Sequence, residues 1–413
     1  MAPRPLATLV VVAAVFAASL ASAVAQRPGA FAGDRDHPAI AYSTAPVDDP
    51  IARLNRRLAA GEVSLRFDAS GAGYLSSVLD ALEVPVESQI LAFAETSQQA
   101  RMINRGNPRA LYFTDTVAVG WVRGADLLEV AAQDPRQGTV FYTLTQQPAS
   151  APTFTRNDKC LACHLSWDTL AVPGWVLQTV FPRKSDRDYA DGGFVDHRLP
   201  VEERWGGWFV TGAAVPARHM GNQPLLQPVP RKGLAQKLAT VEGEFDLAGG
   251  YVTPHSDVAA LLVLDHQVHA INLMTRLNWE ARAGTPARVS EAADELVDYL
   301  LFVDEAPIPG TVKGGSGFAE TFAALGPHDE RGRTLRQLRL QGRTQEYPLS
   351  YTIYTPMFDA LPAEARDAVR ARLGAVLFGR DTRPKYAHLT PALRTAILEI
   401  LRATKPALDL GRP

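Results

Sequence analysis

The sequence has 413 residues, of which 46% are hydrophobic and 21% are charged, and its formal net charge is −2. This composition is typical of a chain that folds around a core, and it excludes low-complexity and disordered proteins. A nearly balanced charge without a basic stripe also excludes nucleic acid as an expected partner. The only two cysteines, Cys160 and Cys163, are too close in sequence for a disulfide between them to constrain much of the unfolded chain.

The N-terminal segment has the pattern of a secretory signal peptide. Arg4 supplies a basic start, an apolar run follows from Leu6 to Leu20, and small residues end the segment. The apolar run is short for a membrane span, which usually needs about 20 apolar residues. We therefore predict a signal peptide at 1–25 that is cleaved near Ala25, a periplasmic location, and a mature chain without a transmembrane segment.

Residues 26–150 are predicted to form a β-rich region. Two short helix patterns come first, in PIARLNRRLAA and GYLSSVLDAL. Five runs rich in β-branched and aromatic residues follow them: SQILAFAE, RALYFTD, TVAVGWVR, LLEVAAQ and GTVFYTLTQ. Turn-forming segments such as RGNP, RGAD and DPRQG separate these runs. The pattern predicts a small antiparallel sheet that ends near Gln146.

The segment 160–164 reads CLACH and contains both cysteines. Half of a zinc site is one interpretation, but such a site needs further ligands at close spacing, and no second Cys-x-x-Cys is present. A thiol redox pair is another, although it does not require the histidine. Covalent attachment of haem uses all three residues, because two thiols form thioether bonds and the adjacent imidazole binds the iron. We therefore predict one covalent haem c on Cys160 and Cys163, with His164 as the proximal iron ligand.

In this motif the sequence resembles the c-type cytochromes, and the resemblance covers CLACH and a few flanking residues. It implies haem binding and electron transfer. The segments NPRALYF, EERWGGW and RHMGN are also loosely similar to segments of large exported one-haem proteins of unassigned activity. A sheet that is followed by a CxxCH segment resembles exported haem-containing sensor domains of the PAS type as well, so a sensor stays an alternative.

The second axial ligand of the iron would separate an electron carrier from a catalyst or sensor, because a carrier usually has two strong protein ligands. Met220 lies 56 residues after His164 and is the conventional candidate. The alternatives are four histidines: His197, His219, His266 and His269. The last two are spaced i and i+3 on a predicted helix and could share a site. The simpler expectation for that helix is a boundary helix whose histidines face water.

Residues 151–232 are predicted to form the haem c segment, with a short helix in TRNDKCLACH and flanking strands in GWVLQTVFP and GGWFVTGAAV. Four tryptophans near the motif are expected to wall the haem or to pack in the core: Trp167, Trp175, Trp205 and Trp208. Residues 233–413 are predicted to be mainly helical and to pack against the haem segment. A long helix starts at His255, and three more lie in SEAADELVDYLLFV, PAEARDAVRARLGAVLF and TPALRTAILEILRAT.

The expected fold class is α+β, with an antiparallel β-rich N-terminal part, a central CxxCH haem segment and a mainly helical C-terminal part. The sequence favours an exported one-haem c-type cytochrome that binds haem covalently and transfers electrons. The alternative is a peroxidase- or oxygenase-like haem enzyme, or a haem-based sensor, with an open iron coordination position. The chain is much longer than a carrier needs, which favours the alternative. Expected partners are exported redox proteins or a small-molecule oxidant.

Overall fold

The structure is a computed structural model that describes residues 35–180, 193–223 and 237–411. The predicted signal peptide at 1–25 and its cleavage position lie outside the described residues. The chain divides into two compact units, of which the first ends at Ala45 and the second contains everything from Pro46 onward. All elements named below belong to the second unit. The predicted boundaries between regions, at 150 and 232, stay a prediction.

A six-stranded antiparallel sheet lies in the N-terminal half of the second unit. Strands that are consecutive in sequence are neighbours in the sheet. The five predicted strands are confirmed, and a two-residue strand follows them. The strands are β1 (Ile90–Ala92), β2 (Arg109–Phe113), β3 (Val117–Trp121), β4 (Leu127–Asp134), β5 (Gly138–Thr145) and β6 (Thr155–Arg156). Gly124 and Gly138 have positive φ in the predicted turns on either side of β4, a conformation that glycine adopts at little cost.

The C-terminal half is mainly helical, which confirms the α+β class. All seven helices predicted along the chain are present. In the described residues the α-helices are α1 (Pro50–Ala59), α2 (Leu75–Ala81), α3 (Leu161–His164), α4 (Val258–Ala283), α5 (Pro286–Leu300), α6 (Phe318–Ala324), α7 (Pro356–Asp359), α8 (Ala363–Leu377) and α9 (Pro391–Thr404). The sequence did not predict α6 or α7.

Helix α4 is the core element of the helical part. The side chain of Asp257 caps its N-terminus by accepting hydrogen bonds from two backbone amides. The expectation that its histidines face water is wrong, since His266 and His269 are only 1% and 4% exposed. Apolar residues occupy all sides of the helix, so it is buried all round. By length and composition α4 could cross a membrane, but its apolar window is wholly buried within the protein, as in a core helix.

One of the two strands predicted after the haem motif is wrong. The segment GGWFVTGAAV forms no continuous strand and meets its neighbours through isolated bridges at Trp208, Thr211 and Ala214. A positive φ at Gly207 interrupts the extended conformation near its start. The strand predicted in GWVLQTVFP is shortened to β7 (Gln178–Thr179), which pairs with β8 (Gly193–Phe194) in a separate two-stranded sheet.

A fully buried ion pair ties the segment after β8 to α4. Arg204 Nη1 donates a hydrogen bond of 2.9 Å to Asp265 Oδ2, and the two side chains are 1% and 0% exposed. The indole of Trp205 donates to the same carboxylate at 3.2 Å. Arg204 also donates to the carbonyl oxygens of Leu199 and His197. Either charge without the other would lie unpaired in an apolar interior, which is costly.

We predict that Asp265→Ala lowers the free energy of unfolding by about 3–5 kcal/mol, because it leaves the Arg204 guanidinium buried without its counter-charge. Urea unfolding followed by circular dichroism measures this change. Arg331→Ala is the control, since Arg331 is exposed where it pairs with Glu399, and such pairs contribute about 0–1 kcal/mol. Equal losses in the two variants would contradict the prediction.

Candidate functional site

The candidate site is a cavity on one face of the six-stranded sheet. The strand register places two rows of side chains across this face: Phe113, Ala118, Ala131 and Phe141 in one row, and Leu111, Gly120 and Glu129 in the next. The small residues of β3 and β4 lie between the large ones, so the centre of the face is recessed. The recess belongs to a cavity of about 320 Å³, which is in the size range of pockets that bind small molecules and cofactors.

Apolar side chains from outside the sheet form the opposite wall of the cavity. Trp175 and Leu177 come from the chain before β7, and Trp208 comes from the segment after β8. Leu264 and Val268, one helical turn apart, come from α4. All five are buried. An apolar wall of this kind suits a site that holds a large organic group away from water.

The CLACH segment completes the wall. The side chain of Asn157 caps a turn of 3-10 helix (Asp158–Cys160), which leads directly into α3, so the predicted short helix is confirmed. Cys160, Cys163 and His164 all line the cavity, and both cysteines are free thiols. The motif therefore brings two sulfur atoms and one imidazole ring to the same cavity.

The imidazole of His164 is held in one orientation. Its Nδ1 lies 2.9 Å from the carbonyl oxygen of Gly174, and its ring centroid lies 4.7 Å from that of Phe141. A carbonyl oxygen can only accept, so Nδ1 carries the hydrogen and Nε2 presents its lone pair. Burial lowers the pKa of His164 to about 4, which keeps the ring neutral near pH 7. A neutral imidazole fixed in this way can bind a metal ion through Nε2.

Cys160 does not have the environment of a reactive redox thiol. Burial, with the nearby negative charge of Glu129, raises the pKa of Cys160 to about 12, whereas reactive pairs depend on a lowered thiol pKa. The zinc interpretation lacks further ligands too. Among the described residues there is no group of three or more His, Cys, Asp or Glu side chains that could hold a metal ion.

Polar groups inside the cavity were not identified from the sequence. Arg109 on β2 and Glu129 on β4 both line it, and each side chain is 17% exposed. Ser97 and Gln98, from the loop after β1, line it as well. The only available signal was a charged residue at an inward-facing position of a predicted strand, and this could be read only once the register of the sheet was known.

The five residues considered as second axial ligands are buried, and none of them is among the described residues that line the cavity: Met220, His197, His219, His266 and His269. Apart from His164, the described part of the cavity wall contains no methionine and no histidine. Helical geometry explains two of these positions. Leu264 faces the cavity, and His266 lies about 200° around α4 from it. The identity of a second axial ligand stays a prediction.

Three of these histidines form a buried cluster of their own. His197 Nδ1 lies 2.8 Å from His266 Nδ1, and His266 Nε2 lies 2.7 Å from the hydroxyl of Ser350. The Tyr299 ring stacks on His266 with 4.9 Å between centroids and meets the ring of His269 at 4.8 Å. Burial lowers the pKa of all three imidazoles, so they are neutral at pH 7.

The four tryptophans near the motif have different environments. Trp175 and Trp208 line the cavity, as described above. Trp205 is buried against Asp265, whereas Trp167 is 68% exposed. Only two of the four can therefore shield a group in the cavity from water.

No protein family model, curated protein or solved structure matches the chain. The resemblance to c-type cytochromes accordingly depends on the CLACH motif and its flanking residues. The chemistry of the site has to be argued from the cavity itself.

We predict that the free energy of unfolding falls as the pH is lowered from about 6.5 to 4. The unfolded chain binds protons on histidine near pH 6.5, whereas burial and the charge of Arg198 lower the pKa of folded His269 to about 4. The stability present above pH 6.5 is therefore lost toward pH 4, by up to about 1.4 kcal/mol per pH unit for each such group.

His269→Leu should flatten this part of the pH profile, which urea unfolding at a series of pH values measures. His328→Gln, at an exposed position, is the control and should keep the wild-type slope. An unchanged slope in His269→Leu would contradict the prediction.

Proposed function

We propose that the cavity holds one haem c, attached through thioether bonds to Cys160 and Cys163, with His164 Nε2 as the proximal iron ligand. The observation that carries the proposal is the meeting of two thiols and one oriented, neutral imidazole at a single apolar cavity. Those are the three groups that covalent haem attachment needs.

The cavity fits a flat aromatic group. On the sheet, Ala118, Gly120 and Ala131 form a recess. On the opposite wall, Trp175 and Trp208 line the cavity. A side chain larger than alanine at the centre of the recess would remove the space. The backbone of β3 and β4 can therefore approach the bound group closely.

The site is open at one edge. Ala162 and Cys163 are exposed to solvent although Cys163 also lines the cavity. A group attached at this position has one edge close to the surface, where an exported redox protein could exchange electrons with it. The apolar wall opposite the sheet, which includes Trp175, Trp208 and Leu264, is buried and limits the access of water from that side.

When bound, haem supplies an iron that exchanges single electrons and binds small ligands. The chain's own residues decide which of these activities dominates. Gly174 fixes the proximal imidazole, and the apolar wall keeps competing water out. The lack of methionine and of a second imidazole on the described cavity wall supports an iron position that stays open to a small molecule.

We therefore favour an exported haem protein that binds or reduces a small oxidant, as an enzyme of the peroxidase or oxygenase type or as a sensor. The sequence favours an electron carrier with Met220 as the second ligand. Because Met220 does not line the cavity, we favour the enzyme or sensor over the electron carrier. Electron exchange with exported partners remains part of the proposal.

The first test fills the recess. Ala131→Phe should strongly reduce covalent haem per chain, because a phenyl ring would occupy the centre of the recess between Ala118 and Phe141. Pyridine haemochrome absorbance per mole of chain, after expression with cytochrome c maturation factors, gives the content. Ala363→Phe makes the same change at an exposed position of α8 and should keep wild-type content. Wild-type haem content in Ala131→Phe would place the haem elsewhere.

The second test concerns the open iron position. The oxidised wild-type protein should have a high-spin spectrum and lack the thioether-to-iron charge-transfer band of His/Met cytochromes. Met220→Ala should leave this spectrum unchanged. A low-spin spectrum whose charge-transfer band disappears in Met220→Ala would restore the carrier function and Met220 as the second ligand.

A further inference from the structure

Arg109 and Glu129 form an incomplete ion pair inside the cavity. Arg109 Nη1 lies 3.6 Å from Glu129 Oε2, which is longer than a hydrogen bond. Gly120 lies between them on β3, and a Cβ atom there would come within 3.8 Å of Arg109 Cδ. The two side chains thus lie on either side of Gly120, and both line the cavity.

Arg109 has unused hydrogen-bonding capacity. Its guanidinium has no hydrogen-bond partner among the described residues, and its Nε is buried. A guanidinium has five N–H donors, and leaving such donors unsatisfied away from water is costly. Glu129, by contrast, is oriented, because the hydroxyl of Ser97 lies 3.0 and 3.2 Å from its two carboxylate oxygens. The cavity therefore contains a guanidinium without a described hydrogen-bond partner beside an oriented carboxylate.

The pair is located at the attachment end of the cavity. Ser97 contacts Glu129, and the next residue, Gln98, donates a hydrogen bond of 3.3 Å to Cys160 Sγ. Thioether bonds hold a haem by its vinyl edge, and its two carboxylates lie on the opposite edge. If a haem is attached at these thiols, its carboxylates would lie away from this end of the cavity, and Arg109 and Glu129 would be available to another ligand.

We propose that Arg109 and Glu129 bind a small protic molecule of the hydroperoxide class that enters the cavity as the neutral acid and binds as its anion. This inference rests on the proposed function, since it requires haem in the cavity. The Glu129 carboxylate accepts the proton that the molecule loses, and Arg109 donates hydrogen bonds to the anion that remains. Charge is conserved within the cavity, because the proton stays on Glu129.

Hydrogen cyanide is a suitable probe, because it is also a neutral acid that binds iron as its anion. We expect Glu129→Gln to slow cyanide association with the oxidised protein by about 100-fold, since general-base catalysis typically contributes at least that factor. Arg109→Leu should raise the cyanide Kd by about tenfold or more, from the loss of charge-assisted hydrogen bonds. Arg109→Lys keeps the charge and should give an intermediate Kd. Stopped-flow absorbance measures both constants.

Two kinds of control make the test specific. Arg101→Leu and Glu62→Gln remove the same charges at exposed positions and should bind cyanide as the wild type does. Carbon monoxide, which carries no proton, should bind the reduced Glu129→Gln protein at the wild-type rate. Equal slowing of both ligands would indicate a blocked cavity and would overturn the inference.

The outcomes also separate this inference from the proposed function. Normal haem content with wild-type cyanide constants in Arg109→Leu and Glu129→Gln would overturn the roles of the pair and leave haem binding intact. Reduced haem content in Arg109→Leu with unchanged cyanide constants would assign Arg109 to the haem carboxylates and overturn the inference too. A wild-type protein without haem would overturn the proposed function itself.

Discussion

The burial of helix α4 on all sides over residues 258–275 is the constraint on which the rest of the second unit depends. Leu264 and Val268 close the cavity, Asp265 pairs with Arg204, and His266 hydrogen-bonds to His197 and Ser350. These contacts lie on different sides of α4, so a rotation of the helix about its axis would break at least one of them. Helix α4 therefore positions the cavity wall, the Arg204–Asp265 ion pair and the buried hydrogen bonds of His266 together.

Different elements of the fold supply different parts of the proposed site. In our proposal the CLACH segment supplies the attaching atoms, and the Gly174 carbonyl sets the tautomer of the His164 imidazole. The sheet supplies a recessed face whose shape follows from alanine and glycine on its central strands. Apart from the exposed Lys159, Arg109 and Glu129 are the charged residues on the described part of the wall. Because these two residues lie on strands, their positions are better fixed than those of loop residues.

Local sequence patterns predicted most of the fold. Apolar periodicity located α4, α5, α8 and α9, and β-branched runs with glycine turns located β1 to β5. The strand predicted in GGWFVTGAAV does not form because Gly207 interrupts the extended run, and the segment pairs with its neighbours only through isolated bridges, one of them to Ala92 of β1. The prediction that the histidines of α4 face water is wrong because His266 has buried partners that are distant in sequence. Such tertiary partners leave no periodic signal in the helix itself.

The candidate site was predicted only where its residues are adjacent in sequence. The spacing of Cys160, Cys163 and His164 predicted the attaching groups, and the structure brings all three to one cavity. Met220 was predicted as the second axial ligand from its sequence distance to His164 alone. Sequence distance carries no information about whether a side chain reaches the cavity. Arg109 and Glu129 could not be found from the sequence, because their proximity depends on the pairing of β2, β3 and β4.

The intact mass of the protein purified after expression with cytochrome c maturation factors tests the central claim most directly. The account predicts a mature chain that is heavier by one haem and keeps this mass in denaturing acid, whereas Cys160→Ala/Cys163→Ala has the mass of the bare chain. A wild-type mass equal to that of the bare chain, or lower by the two hydrogens of a disulfide, would contradict it.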